Sequence, residues 1–127
     1  MTLSIGDSGV ENLKGMKELE WLDIASKLTS NGTKSLLENR CNLKYLILRS
    51  ARGVGDSGMK YIACMTNLET LVLNHATITD NDLDYLRELV KLNLLDLSDT
   101  QITSAGLTSL QQRRRGTKIY LLKVRLT

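Results

Sequence analysis

The chain has 127 residues, 42% of them hydrophobic, 24% charged and 4% aromatic, with a formal net charge of +3. That is one domain's length with enough apolar residues for a single core, which excludes a disordered chain. No apolar run approaches the ~20 residues that cross a bilayer, and residues 1–20 hold no basic-then-apolar secretion signal. Cys41 and Cys64 are too few for a disulfide framework, so free thiols in a reducing, intracellular compartment, the cytoplasm first, are the simpler expectation. Proline and phenylalanine are absent, which points to a small unit used repeatedly.

That unit appears at once. IGDSGVENL begins at Ile5, LTSNGTKSL at Leu28, VGDSGMKYI at Val54, ITDNDLDYL at Ile78 and ITSAGLTSL at Ile102. The openers step by 23, 26, 24 and 24 residues. The fifth residue after each is Val10, Thr33, Met59, Leu83 or Leu107, and the eighth is Leu13, Leu36, Ile62, Leu86 or Leu110. The spacing of three between those two positions is helical. Asp7, Ser30, Asp56, Asp80 and Ser104 follow the openers by two residues and are expected N-caps, since Asp and Ser accept from free helix-start N–H groups. Gly9, Gly32, Gly58, Asp82 and Gly106 come two further on. Glycine weakens a helix, so its recurrence implies a close approach of stacked units. Each helix is expected to run roughly three turns.

Between these helices runs a second motif, L-x-x-L-x-L. It reads Leu19, Leu22, Ile24; Leu43, Leu46, Leu48; Leu68, Leu71, Leu73; Leu92, Leu95, Leu97; and Ile119, Leu122, Val124. The last two apolar residues of each triplet share one face of a strand. The chain therefore reads as five turn–helix segments and five parallel strands, with no strand before the first helix and no helix after the last strand. Solenoids need polar caps, so this single domain over 1–127 is expected to be part of a longer array or to have its ends covered by neighbouring subunits.

The stretches LETLVLNHATITDNDLDYL (68–86) and LNLLDLSDTQITSAGLTSL (92–110) resemble the leucine-rich repeat. The Asp-bearing turn is similar to the cysteine-containing class found in many F-box proteins of ubiquitin ligases, and to threonine-bearing relatives in bacterial and mitochondrial proteins. Lys27, Ala51, Ala76 and Thr100 stand where that class has cysteine, and no F-box-like segment precedes the repeats. The resemblance implies an α/β right-handed solenoid, a horseshoe segment with parallel strands on the concave face and helices on the convex face.

On such a wall the strand residues beside the buried leucines form a grid. Its first column is Trp21, Tyr45, Thr70, Leu94 and Leu121, and its second Asp23, Ile47, Val72, Asp96 and Lys123. The third is Ala25, Arg49, Asn74, Ser98 and Arg125. A contiguous patch of Trp21, Tyr45, Ile47, Val72 and Leu94 exceeds what a solvated surface requires, and Trp, Tyr and Arg are common interface anchors. The expected partner is a protein or peptide held on this face, with no cofactor and no catalysis. Recognition of ubiquitin-ligase substrates and assembly of a mitochondrial complex are alternatives. Residues 113–127 carry a charge of +6 against −3 for the other 112. Ile119 follows Leu110 by nine residues, against six or seven in earlier connections, so Arg113, Arg114, Arg115 and Lys118 are expected on an inserted basic surface loop. Nucleic-acid contact there is a weaker alternative, since no aromatic platform lies in the run.

Signals of chemistry are thin. His75 is the sole histidine, expected in a turn at the rim of the concave face. Asp80, Asp82 and Asp84 alternate like a calcium loop, but Tyr85 and Lys91 occupy the positions that need glycine and glutamate. Cys41 and Cys64 lack the further ligands of a zinc site and are expected as buried thiols. VGDSG is superficially similar to a phosphate loop but has no lysine.

Overall fold

A computed structural model describes residues 2–3, 7–13, 15–25, 27–38, 40–114 and 116–120. Six strands, β1 (Thr2–Leu3), β2 (Trp21–Ile24), β3 (Tyr45–Leu48), β4 (Thr70–Leu73), β5 (Leu94–Asp96) and β6 (Lys118–Tyr120), form one parallel sheet in sequence order. Helical segments return the chain from each strand to the next: α1 (Asp7–Val10) with a 3₁₀ turn (Glu11–Leu13), α2 (Ser30–Leu37), α3 (Asp56–Ile62), a 3₁₀ helix (Asp80–Glu88) and α4 (Ser104–Arg113). A parallel sheet needs such a crossover for every strand.

The leucine triplets build the interior as the period-two argument requires. Leu22, Leu46, Leu71 and Leu95 pair in register across the sheet, with Ile24, Leu48 and Leu73 forming the next row. All are buried. The openers Leu28, Val54, Ile78 and Ile102 and the helix residues Leu36, Ile62, Leu86 and Leu110 close the same core from the other side. A unit this small cannot bury its own apolar edge, so neighbour-on-neighbour stacking supplies the stability.

Several expectations are corrected. A strand does precede the first helix: β1 pairs with β2, so among the described residues the sheet has six strands, not five. α2 and α3, with 8 and 7 residues, run about two turns rather than three, whereas the nine-residue 3₁₀ helix and the ten-residue α4 run about three. The N-caps fall one residue earlier than expected. Thr29 Oγ1 accepts from the Gly32 N–H at 3.2 Å and Thr103 Oγ1 from the Gly106 N–H at 3.2 Å, with Thr79 and Gly55 in the equivalent places. Ser30, Asp56, Asp80 and Ser104 are the first helical residues. In each T-S or T-D pair both residues could cap, and the extended backbone of the threonine decides it.

The last strand is displaced in register. Ile119 pairs with Leu95, not in the role of Leu92, and Lys118 follows Leu94. That keeps the step of the earlier repeats, so there is no inserted basic loop. Thr117 occupies the turn position of Leu43, Leu68 and Leu92, each N–H bonding the carbonyl three residues back. Arg113 ends α4, and Arg114 is half-buried beyond it. Lys118 is exposed on β6, while Arg115, Leu121, Lys123 and Arg125 lie outside the described residues. Cys41 and Cys64 are exposed, not buried, because both fall in the helix-to-strand connections.

Candidate partner-binding face

Strand register sets the columns of the concave wall. Trp21, Tyr45, Thr70, Leu94 and Lys118 stand in one row across the sheet, and Asp23, Ile47, Val72, Asp96 and Tyr120 in the next. Lys118 and Tyr120 thus take the places expected of Leu121 and Lys123. Trp21 is 54% exposed and Tyr45 37%, with ring centroids 5.9 Å apart and planes tilted by 52°. Edge-inclined pairing of this kind holds both rings in place. Thr70, Leu94, Ile47 and Val72 are half-buried beside them.

The wall is less open than a free grid. Asp23 is buried and not a surface contact, as its second-column place had suggested. Arg49, on the neighbouring connection two residues beyond Ile47, lays its guanidinium over it: Nε to Oδ1 is 2.9 Å and Nη2 to Oδ2 is 2.8 Å. Diagonal neighbours on adjacent strands lie within reach of a long side chain, which was the available signal for this pair. The Asp23 carboxylate, by hydrogen bond and then by charge, holds Arg49 further above its ordinary pKa. Arg49 itself remains exposed, so the wall carries a cation held on Asp23, two residues along β2 from Trp21.

The opposite end of the wall is polar. Asp96 Oδ1 accepts from Ser98 Oγ at 2.6 Å, from the Ser98 N–H at 3.0 Å and from Asn74 Nδ2 at 3.4 Å. Ser98 is buried by this arrangement, while Asn74 and Asp96 are half-buried. At the rim, His75 and Asp99 occupy equivalent turns with φ of 66° and 59°, the left-handed region that Asp and His tolerate better than most residues. His75 Nε2 lies 3.7 Å from Asp99 Oδ2, in an open cleft of about 500 Å³ that Arg52, Thr77 and Gln101 also line.

Two arginines that the sequence did not mark as structural stitch the repeats together. Arg40 donates to the carbonyls of Leu13 and Met16 at 2.7 Å each and of Leu36 at 3.0 Å. Arg114 donates to the carbonyls of Leu86 at 3.1 Å, Leu89 at 2.5 Å and Leu92 at 3.5 Å. Leu13 and Met16 in the first repeat correspond to Leu86 and Leu89 in the fourth. Each guanidinium therefore gives a second, charged donor to carbonyls at the end of the preceding repeat's helix, which already accept from the turn's backbone N–H groups. Burial pulls both guanidinium groups below their ordinary pKa.

Residues 39–63, 64–86 and 89–110 match the model of the leucine-rich repeat family. The chain is a leucine-rich-repeat protein. Among solved structures, this leucine-rich-repeat chain is similar to an internalin (inlF) of Listeria monocytogenes, with a TM-score of 0.71, 21% identity, and coverage of 99% of this chain and 34% of that one. It is also similar to internalin C2 (inlC2) of the same organism, with a TM-score of 0.54, 23% identity, and coverage of 91% of this chain and 54% of that one. At these identities the likeness is one of fold, and this chain spans about a third and about half the length of the two. No curated protein matches the chain. Among the described residues no group of three or more His, Cys, Asp or Glu is placed to hold a metal, and no helix is long and apolar enough to cross a membrane.

Proposed function

We propose that this leucine-rich-repeat segment is a non-catalytic interaction module inside the cell that holds a protein partner on its concave wall, as one part of a larger assembly. The family's solenoids present extended concave surfaces of this kind. The observation that carries the reading is the Trp21–Tyr45 pair, exposed on adjacent strands of a wall that also carries Arg49, a cation fixed by Asp23. Aromatic residues and arginine are the side chains on which interface energy concentrates. The binding set is Trp21, Tyr45, Ile47, Arg49, Thr70, Val72, Asn74, Leu94 and Asp96, with Asp23 acting through Arg49. Substrate recognition in a ubiquitin ligase or assembly of a mitochondrial complex would use the same wall.

Affinity purification from the native source with wild-type chain and with Trp21→Ala/Tyr45→Ala tests this. The double variant leaves the leucine rows untouched, so it should keep its thermal transition and lose its partners by about tenfold or more. Equal recovery of the same partners would reject the concave wall as the binding face.

A further inference from the structure

The helical face carries a second feature, unrelated to the concave wall. The 3₁₀ helix and α4 make the sparsest contact of the successive helical seams. Along that seam an open cleft of about 490 Å³ is lined by Arg87, Lys91, Arg113 and Arg114. Beside it Leu83, Leu86 and Leu110 floor a small apolar notch that Arg87 and Arg113 overhang. Among the described residues Asp84 is the one carboxylate paired with the cleft's exposed guanidinium groups, its Oδ1 3.0 Å from Arg113 Nη1 and 3.6 Å from Arg87 Nη2. Lys91 Nζ meets only a neutral oxygen, Asn67 Oδ1 at 2.9 Å, and Arg114 meets carbonyl and hydroxyl oxygens. The cleft holds more positive charge than its acids neutralise. At its edge stands Val90, 78% exposed.

We propose that this seam binds an acidic peptide segment that carries apolar side chains between its carboxylates. Carboxylates would pair with Arg87, Arg113 and Lys91, Arg offering the fork that matches a carboxylate. An aliphatic side chain would enter the notch over Leu83, Leu86 and Leu110 or cover Val90. The juxtaposition decides the ligand class. A phosphate or a nucleic-acid backbone would use the cations and leave the apolar floor bare, and among the described residues no aromatic ring lines the cleft for a base to stack on.

The isotopically labelled full chain can be titrated by NMR with the blocked peptide Glu-Glu-Leu-Leu-Glu-Glu, with Glu-Glu-Ser-Ser-Glu-Glu, and with a short thymidine oligonucleotide. The leucine peptide should give saturable shifts in the Arg87, Val90, Lys91 and Arg113 amides. Replacing its leucines by serine should weaken binding about tenfold, as should Arg87→Gln/Arg113→Gln. If the double variant loses its fold, Arg87→Gln alone serves, since Arg87 makes only an exposed pair with Asp84. Trp21→Ala should change nothing, which separates this site from the concave wall. The proposal is overturned if the serine peptide or the oligonucleotide binds as tightly as the leucine peptide. Undiminished affinity in the arginine variant, absence of saturable shifts with the leucine peptide, or dimerisation of the chain across this face would overturn it too.

Discussion

Two successive helical seams are built from nearly the same letters and behave oppositely. Between the fourth and fifth repeats, Asp80 reaches across to the next helix start, where its Oδ1 accepts from the Thr103 N–H at 2.9 Å and its Oδ2 from the Thr103 hydroxyl. It has room because the facing residue is Gly106: a Cβ there would sit 2.1 Å from Asp80 Oδ1. Between the third and fourth repeats, Asp56 stands where Asp80 does, but Asp82 replaces the glycine. Its carboxyl turns back to accept from the Thr79 N–H at 3.0 Å and meets Asp56. Burial first, and then the Asp56 carboxyl, push Asp82 above the usual carboxylate range, against the pull of the Thr79 N–H. One side-chain position thus converts an acid-to-backbone clasp into an acid-on-acid contact.

Breaking the favourable seam should have the largest effect. Asp80→Ala removes a charged acceptor from two donors of Thr103 and is expected to cost about 2–4 kcal/mol in urea unfolding, whereas Asp56→Ala should be near neutral because it also relieves Asp82. Equal losses would mean the seams are alike after all. Gly106→Ala comes next. In an ordinary helix this change gains up to about 1 kcal/mol, but here the new methyl displaces Asp80, so a net loss of about 1–2 kcal/mol is expected. A net gain would remove close approach as the reason for this glycine. The smallest effect sharpens the unfavourable seam. Asp82→Asn keeps an acceptor for the Thr79 N–H and adds a donor toward Asp56, for a gain of about 1 kcal/mol at pH 7. Asp82 is raised in the folded state, so its ionisation weakens the fold. Wild-type stability from this group is full below the ordinary value of 3.8 and falls as pH rises through the raised one. The gain should therefore appear at neutral pH and vanish in acid, and a gain independent of pH would assign it to something other than the Asp56–Asp82 contact.

Much of this architecture was legible because leucine spacing carries it. A residue at offset 3 or 5 of the strand motif has one way to face a core, so the rows of Leu22, Leu46, Leu71 and Leu95 follow from the letters. The helix caps were off by one because Thr29–Ser30, Thr79–Asp80 and Thr103–Ser104 each offer two competent acceptors, and only backbone geometry selects between them. The last strand was off in register because Gly116 and Thr117 replace the expected leucine, leaving Ile119 to be matched to the wrong partner. That slip in turn made the arginine run look like a loop. On the concave wall, Trp21 and Tyr45 could be placed from alternation alone. The burial of Asp23 could not, because a carboxylate on a surface column goes under only when a cation such as Arg49 lies diagonally across from it.

Arg40 and Arg114 do more than quiet a few carbonyls. Each ties the tail of one module to the module before it, at the first-to-second and fourth-to-fifth joints, while Met65 and Leu89 fill the same place at the joints between. In a linear array, melting proceeds inward from whichever joint lets go first. Strengthening the flanking joints with multidentate clasps raises the threshold for peeling, so the segment should open all at once and present its concave wall as a single rigid plate.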